Sequence, residues 1–240
     1  MRPAATVEAT AVEVVDLAVT PLRELNQRLH DLAGAAPAPR RWRVLNPNGA
    51  HAVACGLDAE IEVEIEGHVG YYCAGMNKLA TVRVRGNAGP GVAENMMSGT
   101  VVVEGNASQS AGATGRGGLL VVHGDAAARC GISMKGVDVV VRGSVGHVSG
   151  FMAQTGRLVV CGDAGEALGD SIYEARLYVR GEVAGLGADC VEKALRDEHI
   201  VELGELLERA GIDDVHPSEF RRYGSARRLY NFDVDHAGEY

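Results

Sequence analysis

Aromatic residues are scarce, 5% of 240, with three Phe and one Trp, so the interior has to be built from Val, Leu, Ile and Ala. No run of about 18 apolar residues is present, which excludes a membrane-spanning helix, and residues 1–11 lack the apolar core of a signal peptide. These absences predict a soluble, cytoplasmic protein. Positive charge is also short: 23 Lys and Arg face 32 Asp and Glu, a net charge of −9, which argues against general nucleic-acid binding. The five cysteines are odd in number and form no Cys-x-x-Cys, and the eight histidines form no His-x-x-x-His. Neither set has the spacing of a zinc or iron–sulfur site.

Glycine is plentiful, and seven of its 32 copies stand 19 residues apart: Gly67, Gly86, Gly105, Gly124, Gly143, Gly162 and Gly181. A fixed period means one unit repeated along an axis. Four and two residues before each of these glycines lie Val, Ile or Leu without exception, from Val63 and Ile65 to Leu177 and Val179. That spacing predicts a strand with one buried face. After each glycine stands His68, Asn87, Asn106, Asp125, Ser144, Asp163 or Glu182, mostly residues that tolerate left-handed backbone or bond to their own main chain. A unit of 19 residues without helical periodicity is too short for two helices. It fits one coil of a parallel β-helix, with two or three short strands separated by bends. A leucine-rich repeat shares the period, but its Leu and Asn spacing is missing. Seven coils rising ~4.8 Å each make a rod of roughly 34 Å.

The residue between the two inward positions faces outward and runs Glu64, Arg83, Val102, Val121, Val140, Val159, Tyr178. The first two coils are polar there, and the next five form an apolar ladder. A stripe of that length calls for cover, either by another chain or by this chain's own terminal helix. The ladder is therefore a candidate partner interface.

The predicted organisation is an N-terminal cap and linker over 1–40, the β-helix over 41–188, and a C-terminal helix and tail over 189–240. Val12–Ala18 reads as a strand, Thr20 and Pro21 as N-cap and first residue of a helix to about Leu32, and Gly34–Arg40 as a linker. Trp42–Val44 and Gly49–Gly56 read as an irregular opening coil. Asp189 is placed to cap a helix over Val191–Ala210, with Val191, Leu195, Val201, Leu203, Leu206 and Leu207 as its apolar stripe and Gly211 as its stop. The tail interleaves Arg221, Arg222, Arg227 and Arg228 with Phe220, Tyr223, Tyr230 and Phe232, a composition suited to an arm clasping a partner. The simpler alternative is a cover for the end of the coil.

Motifs that resemble sites fall on repeat columns. Gly86-Asn-Ala-Gly89-Pro-Gly91 lacks dinucleotide-loop spacing, and Gly131-Ile-Ser-Met-Lys135-Gly136 lacks the gap and ending of a phosphate loop. Cys73 and Cys130 lie three periods apart, which marks them as buried fillers of one column. Asp125 and Asp163 stand two coils apart with Ser144 between them, and Glu166 and Asp170 share one coil without a clear partner. A glycoside-cleaving β-helix would need grouped carboxylates. Lys78, Arg116 and Lys135 share a column that continues as Gln154 and Tyr173, suited either to an anion or acidic partner or to plain solvation.

The recurring Gly-Asn-Ala-Gly and Gly-Asp-Ala-Gly turns from Ile61 to about Ala188 resemble the GXGXG domain of glutamate synthases. The segments 131–136, Ser149-Gly-Phe-Met-Ala-Gln154, 160–174 and Tyr223-Gly-Ser-Ala-Arg-Arg228 resemble its free-standing version, as in N-methylglutamate synthase. The homologous scaffold of formylmethanofuran dehydrogenase has a similar coil but fits the terminal segments less well. The resemblance implies an all-β chain folded as a single-stranded, right-handed parallel β-helix with helical caps and an extended tail. It also implies a non-catalytic subunit of a hetero-oligomer. Its neighbours would be a class II glutamine-amidotransferase-like subunit and an FMN-dependent, glutamate-synthase-like subunit that holds the FMN and the iron–sulfur cluster. No catalytic or cofactor residue transfers onto this chain, and the turn glycines are structural. A stand-alone β-helix enzyme acting on an acidic polymer is the competing reading.

Overall fold

A computed structural model describes residues 12–33 and 41–229. One eleven-stranded sheet runs through the molecule. Its strands are β1 (Val12–Asp16), β2 (Arg41–Leu45), β3 (Glu62–Glu66), β4 (Thr81–Val84), β5 (Thr100–Val103), β6 (Leu119–Val122), β7 (Lys135–Val141), β8 (Thr155–Val160), β9 (Arg176–Val179), β10 (Cys190–Lys193) and β11 (Arg221–Ser225). From β1 to β9 every neighbour pair is parallel, and from β3 onward the register advances by the 19-residue period, Val82 beside Val101 and Val101 beside Leu120, apart from a register shift between Lys135 and Asp138 that sets Lys135 beside Thr155. Strands joined in this way are the rungs of a parallel β-solenoid. The inward pairs predicted from the alternation, Val63 and Ile65 through Leu177 and Val179, are buried throughout.

Each coil has one four-to-seven-residue strand, and a second pairing is reduced to a single bridge, as in Val69–Ala88–Ala107–Ala126. The remainder is a turn segment in which backbone handedness alternates. Ser110, Gly112 and Thr114 all have positive φ, and so do Arg129, Gly131 and Ser133 one coil later. This alternation lets successive N–H groups point to opposite neighbours. Tyr72 N donates upward to Pro90 O, Ala74 N downward to Val53 O, and Met76 N upward to Glu94 O, at 2.8, 3.0 and 2.8 Å. The buried backbone is thereby satisfied without a regular strand.

The ends differ from expectation in several places. Trp42–Val44 belongs to the regular strand β2, in parallel register with β3, and Trp42 pairs with Val63, so this opening coil is longer than the rest. Helix α1 (Leu22–His30) takes Pro21 as its N-cap, with no side-chain hydrogen bond from Thr20. Its Leu25 and Leu29 are buried over the first coil, and Asn26 closes that edge by donating to Ala52 O and accepting from Ala54 N, at 2.9 and 3.0 Å. The predicted linker over 34–40 lies outside the described residues. At the other end Cys190–Lys193 is a strand, and the helix α2 begins only at Asp197 and runs to Arg209. Its N-terminus is held by His199, whose Nδ1 accepts from Arg196 N at 3.1 Å, whereas Asp189 accepts from Ser225 Oγ and Arg228 N. Gly211 stops α2 as expected, with φ +70°.

Candidate functional site

The seven turn glycines form a column, and the structure shows why no side chain fits there. Only Gly67 has positive φ among them; from Gly86 to Gly181 the constraint is close approach. A Cβ on Gly143 would overlap Asp125 Oδ1 and come within 2.7 Å of Gly124 O. Asp125 Oδ1 occupies that space because it accepts from Ser144 N at 2.8 Å. The same arrangement recurs upward and downward. Asn87, Asn106, Asp125, Ser144 and Asp163 each accept from the backbone N–H one coil above, at 2.8 to 3.0 Å, and His68 Nδ1 opens the series beneath Asn87. The residues after the glycines are thus rungs of a side-chain ladder, not residues held in left-handed backbone. Asp125 and Asp163, the grouped-carboxylate candidates, each have an oxygen occupied in it.

The other motif-like loops are coil backbone as well. Around Gly131-Ile-Ser-Met-Lys135, the N–H groups of Gly131, Ser133 and Lys135 donate to Ala111 O, Phe151 O and Gly115 O in adjacent coils. They are therefore not free to cradle a phosphate. Cys73 and Cys130 are buried as expected, and burial pushes each thiol up to about 12. Among the described residues no three His, Cys, Asp or Glu side chains are grouped to hold a metal ion. Asp170 accepts from Ser171 Oγ at 2.7 Å, and among the described residues no second carboxylate joins it in a hydrogen bond.

The outer ladder is not available to a partner. Val102, Val121, Val140, Val159 and Tyr178 form a second core with Leu203, Leu206, Leu207 and Ala210 of α2, joined by Ile212 and Phe220. The expected interface is thus an internal one, because the helix offers an apolar stripe that fits the ladder. Val201, predicted to share that stripe, points away and is 61% exposed.

Polar contacts fix the seat of α2. Arg157 forms a two-bond fork onto Asp138 at 2.6 Å for each bond and reaches Glu202 of α2 at 3.1 Å. Arg176 and the Tyr178 hydroxyl also donate to Glu202, at 2.8 and 2.9 Å. Burial pushes the Tyr178 hydroxyl well above its ordinary value, and its bond to the Glu202 carboxylate adds to the effect. Burial acts to raise Glu202, but the Tyr178 hydrogen bond and the Arg176 and Arg157 cations outweigh it and hold the carboxyl below its ordinary 4.5. A depressed carboxylate contributes stability above its unfolded-state pKa and loses it as pH falls through the folded value. We expect wild-type stability to drop below about pH 4.5. Glu202→Gln should cost about 1 kcal/mol at pH 7 and flatten that slope, which thermal melts at pH 7, 5 and 3.5 would detect.

The tail is likewise internal where it is described. β11 lies antiparallel between β9 and β10, and β10 is the last strand of the sheet. Tyr223 is buried, Arg221 donates to Gly181 O, Arg222 to Ala194 O and Arg227 to Glu174. The predicted clasp therefore grips this chain's own coil at Arg221, Arg222, Tyr223, Arg227 and Arg228, the last through its backbone N–H. Tyr230 and Phe232 lie outside the described residues. No helix among the described residues is long and apolar enough to cross a membrane.

No family model and no solved structure matches the chain. Protein GlxC of Rhizobium meliloti (strain 1021) is 63% identical over 227 residues, covering 95% of this chain and 99% of that protein. At that identity and coverage the chain belongs to the GlxC family.

Proposed function

We propose that this chain is a non-catalytic structural subunit of a cytoplasmic, glutamate-synthase-like complex of the N-methylglutamate synthase type. It bridges a class II glutamine-amidotransferase-like subunit and an FMN-dependent synthase subunit that holds the flavin and the iron–sulfur cluster. The observation that carries this reading is the ladder. The polar side chains best placed for chemistry, Asn87 through Asp163, are acceptors for the backbone of the next coil. They make the rod stiff, and a stiff rod sets the distance between two other bodies. The Gly-Asn-Ala-Gly turns that build it are those that resemble the GXGXG domain.

Co-expression with the neighbouring chains of the same complex tests the reading. A yellow hetero-oligomer containing this chain is expected, together with a colourless isolated subunit. A monomer that purifies alone and cleaves an acidic polysaccharide would overturn it.

A further inference from the structure

Two outward regions of the solenoid are occupied by the chain itself. The strand face is covered by α2 over its later coils and carries paired charges over its earlier ones, such as Arg83 with Glu104 at 2.5 Å. The glycine turns carry the hydrogen-bonded ladder. The corner that precedes each strand is different. Met76 and Leu79 in one coil and Met97 in the next are 46%, 49% and 46% exposed. Met97 sits over Lys78, Arg116 over Met97 and Lys135 over Arg116, each held by a backbone bond from its own N–H to the coil beneath, at 2.8, 2.6 and 2.7 Å.

Lys78 is paired with Asp58 at 2.6 Å, but Arg116 and Lys135 are exposed and enter no salt bridge among the described residues. Two cationic side chains without a salt bridge, on adjacent coils whose backbones are ~4.8 Å apart, therefore continue an exposed apolar cluster along one line. The surrounding protein has a net charge of −9.

We propose that this corner, Met76, Leu79, Met97, Arg116 and Lys135, is a docking surface for another protein, whose face carries carboxylates beside apolar side chains. Met and Arg are enriched in interface cores, and complementary charge fixes register and speeds encounter. A second copy of this chain is a poor occupant. A two-fold pair centred on Met97 sets Arg116 and Lys135 of each copy against Met76 and Leu79 of the other, which offer no carboxylate, between two bodies of like net charge. Nucleic acid is poorly served by two cations flanked by Met and Leu on an acidic protein. The inference deepens the bridging role proposed above and rests on it for the partner's identity.

A photo-crosslinking residue at position 97 of the full chain, expressed with its native neighbours, tests the site. The control has the same residue at position 127, an exposed alanine in a glycine turn of a middle coil. The expected result is a protein adduct at 97 and none at 127, reduced about tenfold by Arg116→Glu with Lys135→Glu. Both substituted side chains are exposed, so the double variant should keep the wild-type melting temperature. Adducts that are absent, formed with RNA or with a second copy, or insensitive to charge reversal overturn the proposal. A charge-sensitive adduct to a protein outside the amidotransferase- and synthase-type subunits supports the docking surface and counts against the bridging role.

Discussion

Gly143→Ala is expected to destabilise the protein by about 2–4 kcal/mol and to lower its melting temperature by roughly 5–15 °C. The added methyl cannot be accommodated by a rotamer change, since it meets Gly124 O at 2.7 Å and the Asp125 carboxylate that holds the next rung. Relief requires spreading two coils or breaking the Asp125–Ser144 bond. Overpacking of this kind costs about 1–3 kcal/mol, and loss of the exposed Asp125–Ser144 hydrogen bond about 1 kcal/mol more. Position matters too: a coil contacts only its neighbours, so a defect in the middle of the array weakens coupling between its halves. Gly204→Ala is the control. It lies within α2, where a Cβ would find only Pro217 Cγ at 3.5 Å, and Ala should be neutral or stabilise by up to about 1 kcal/mol. Thermal unfolding by circular dichroism reads both. A Gly143→Ala melt within about 2 °C of wild type would refute the close-approach argument.

Leu206→Asp is expected to release α2 from the sheet. Leu206 is 1% exposed against the Val102–Tyr178 ladder, and an aspartate there must either lose its charge or draw the helix into water. Loss of the buried leucine contributes about 2–5 kcal/mol, and the unpaired carboxylate adds to it. The solenoid itself should persist, because its inner core of Val, Leu and Ala lies on the opposite side of the strands. Cleavage within 197–209 by a nonspecific protease and binding of a hydrophobic dye should both rise sharply, while the β-sheet circular dichroism signal is kept. Unchanged protection of α2 would mean that the ladder does not hold it. Collapse of the whole sheet signal would mean that the helix is integral to the coil.

Much of this architecture is legible in the amino-acid sequence. The 19-residue glycine column and the Val, Ile and Leu pairs before it specify parallel rungs with one buried face, and the registers follow them residue for residue. Cys73 and Cys130 could be assigned to the core from their columnar spacing alone. The role of the Asn and Asp residues after the glycines was not legible. Their preference for turns is a local property, whereas the hydrogen bond they make is to a residue 19 positions away. The alternating handedness at Ser110, Gly112 and Thr114 was hidden for a related reason: only the middle column of the three is rich in glycine. At the C-terminus, Asp189 matched a helix cap by residue type, but β11 makes a better partner for 190–193 than a helix does for itself.

By itself the sequence determined the repeat, the inward face and the presence of an outward apolar ladder, because each is a pattern repeated within single coils. The tertiary structure decided what meets those surfaces. α2 covers the ladder because it is tethered to the same chain, at an effective concentration that a separate partner would have to exceed. β11 extends the sheet beyond β9 on the same principle, leaving the corner at Met97, Arg116 and Lys135 as a surface this chain does not cover with its own described segments.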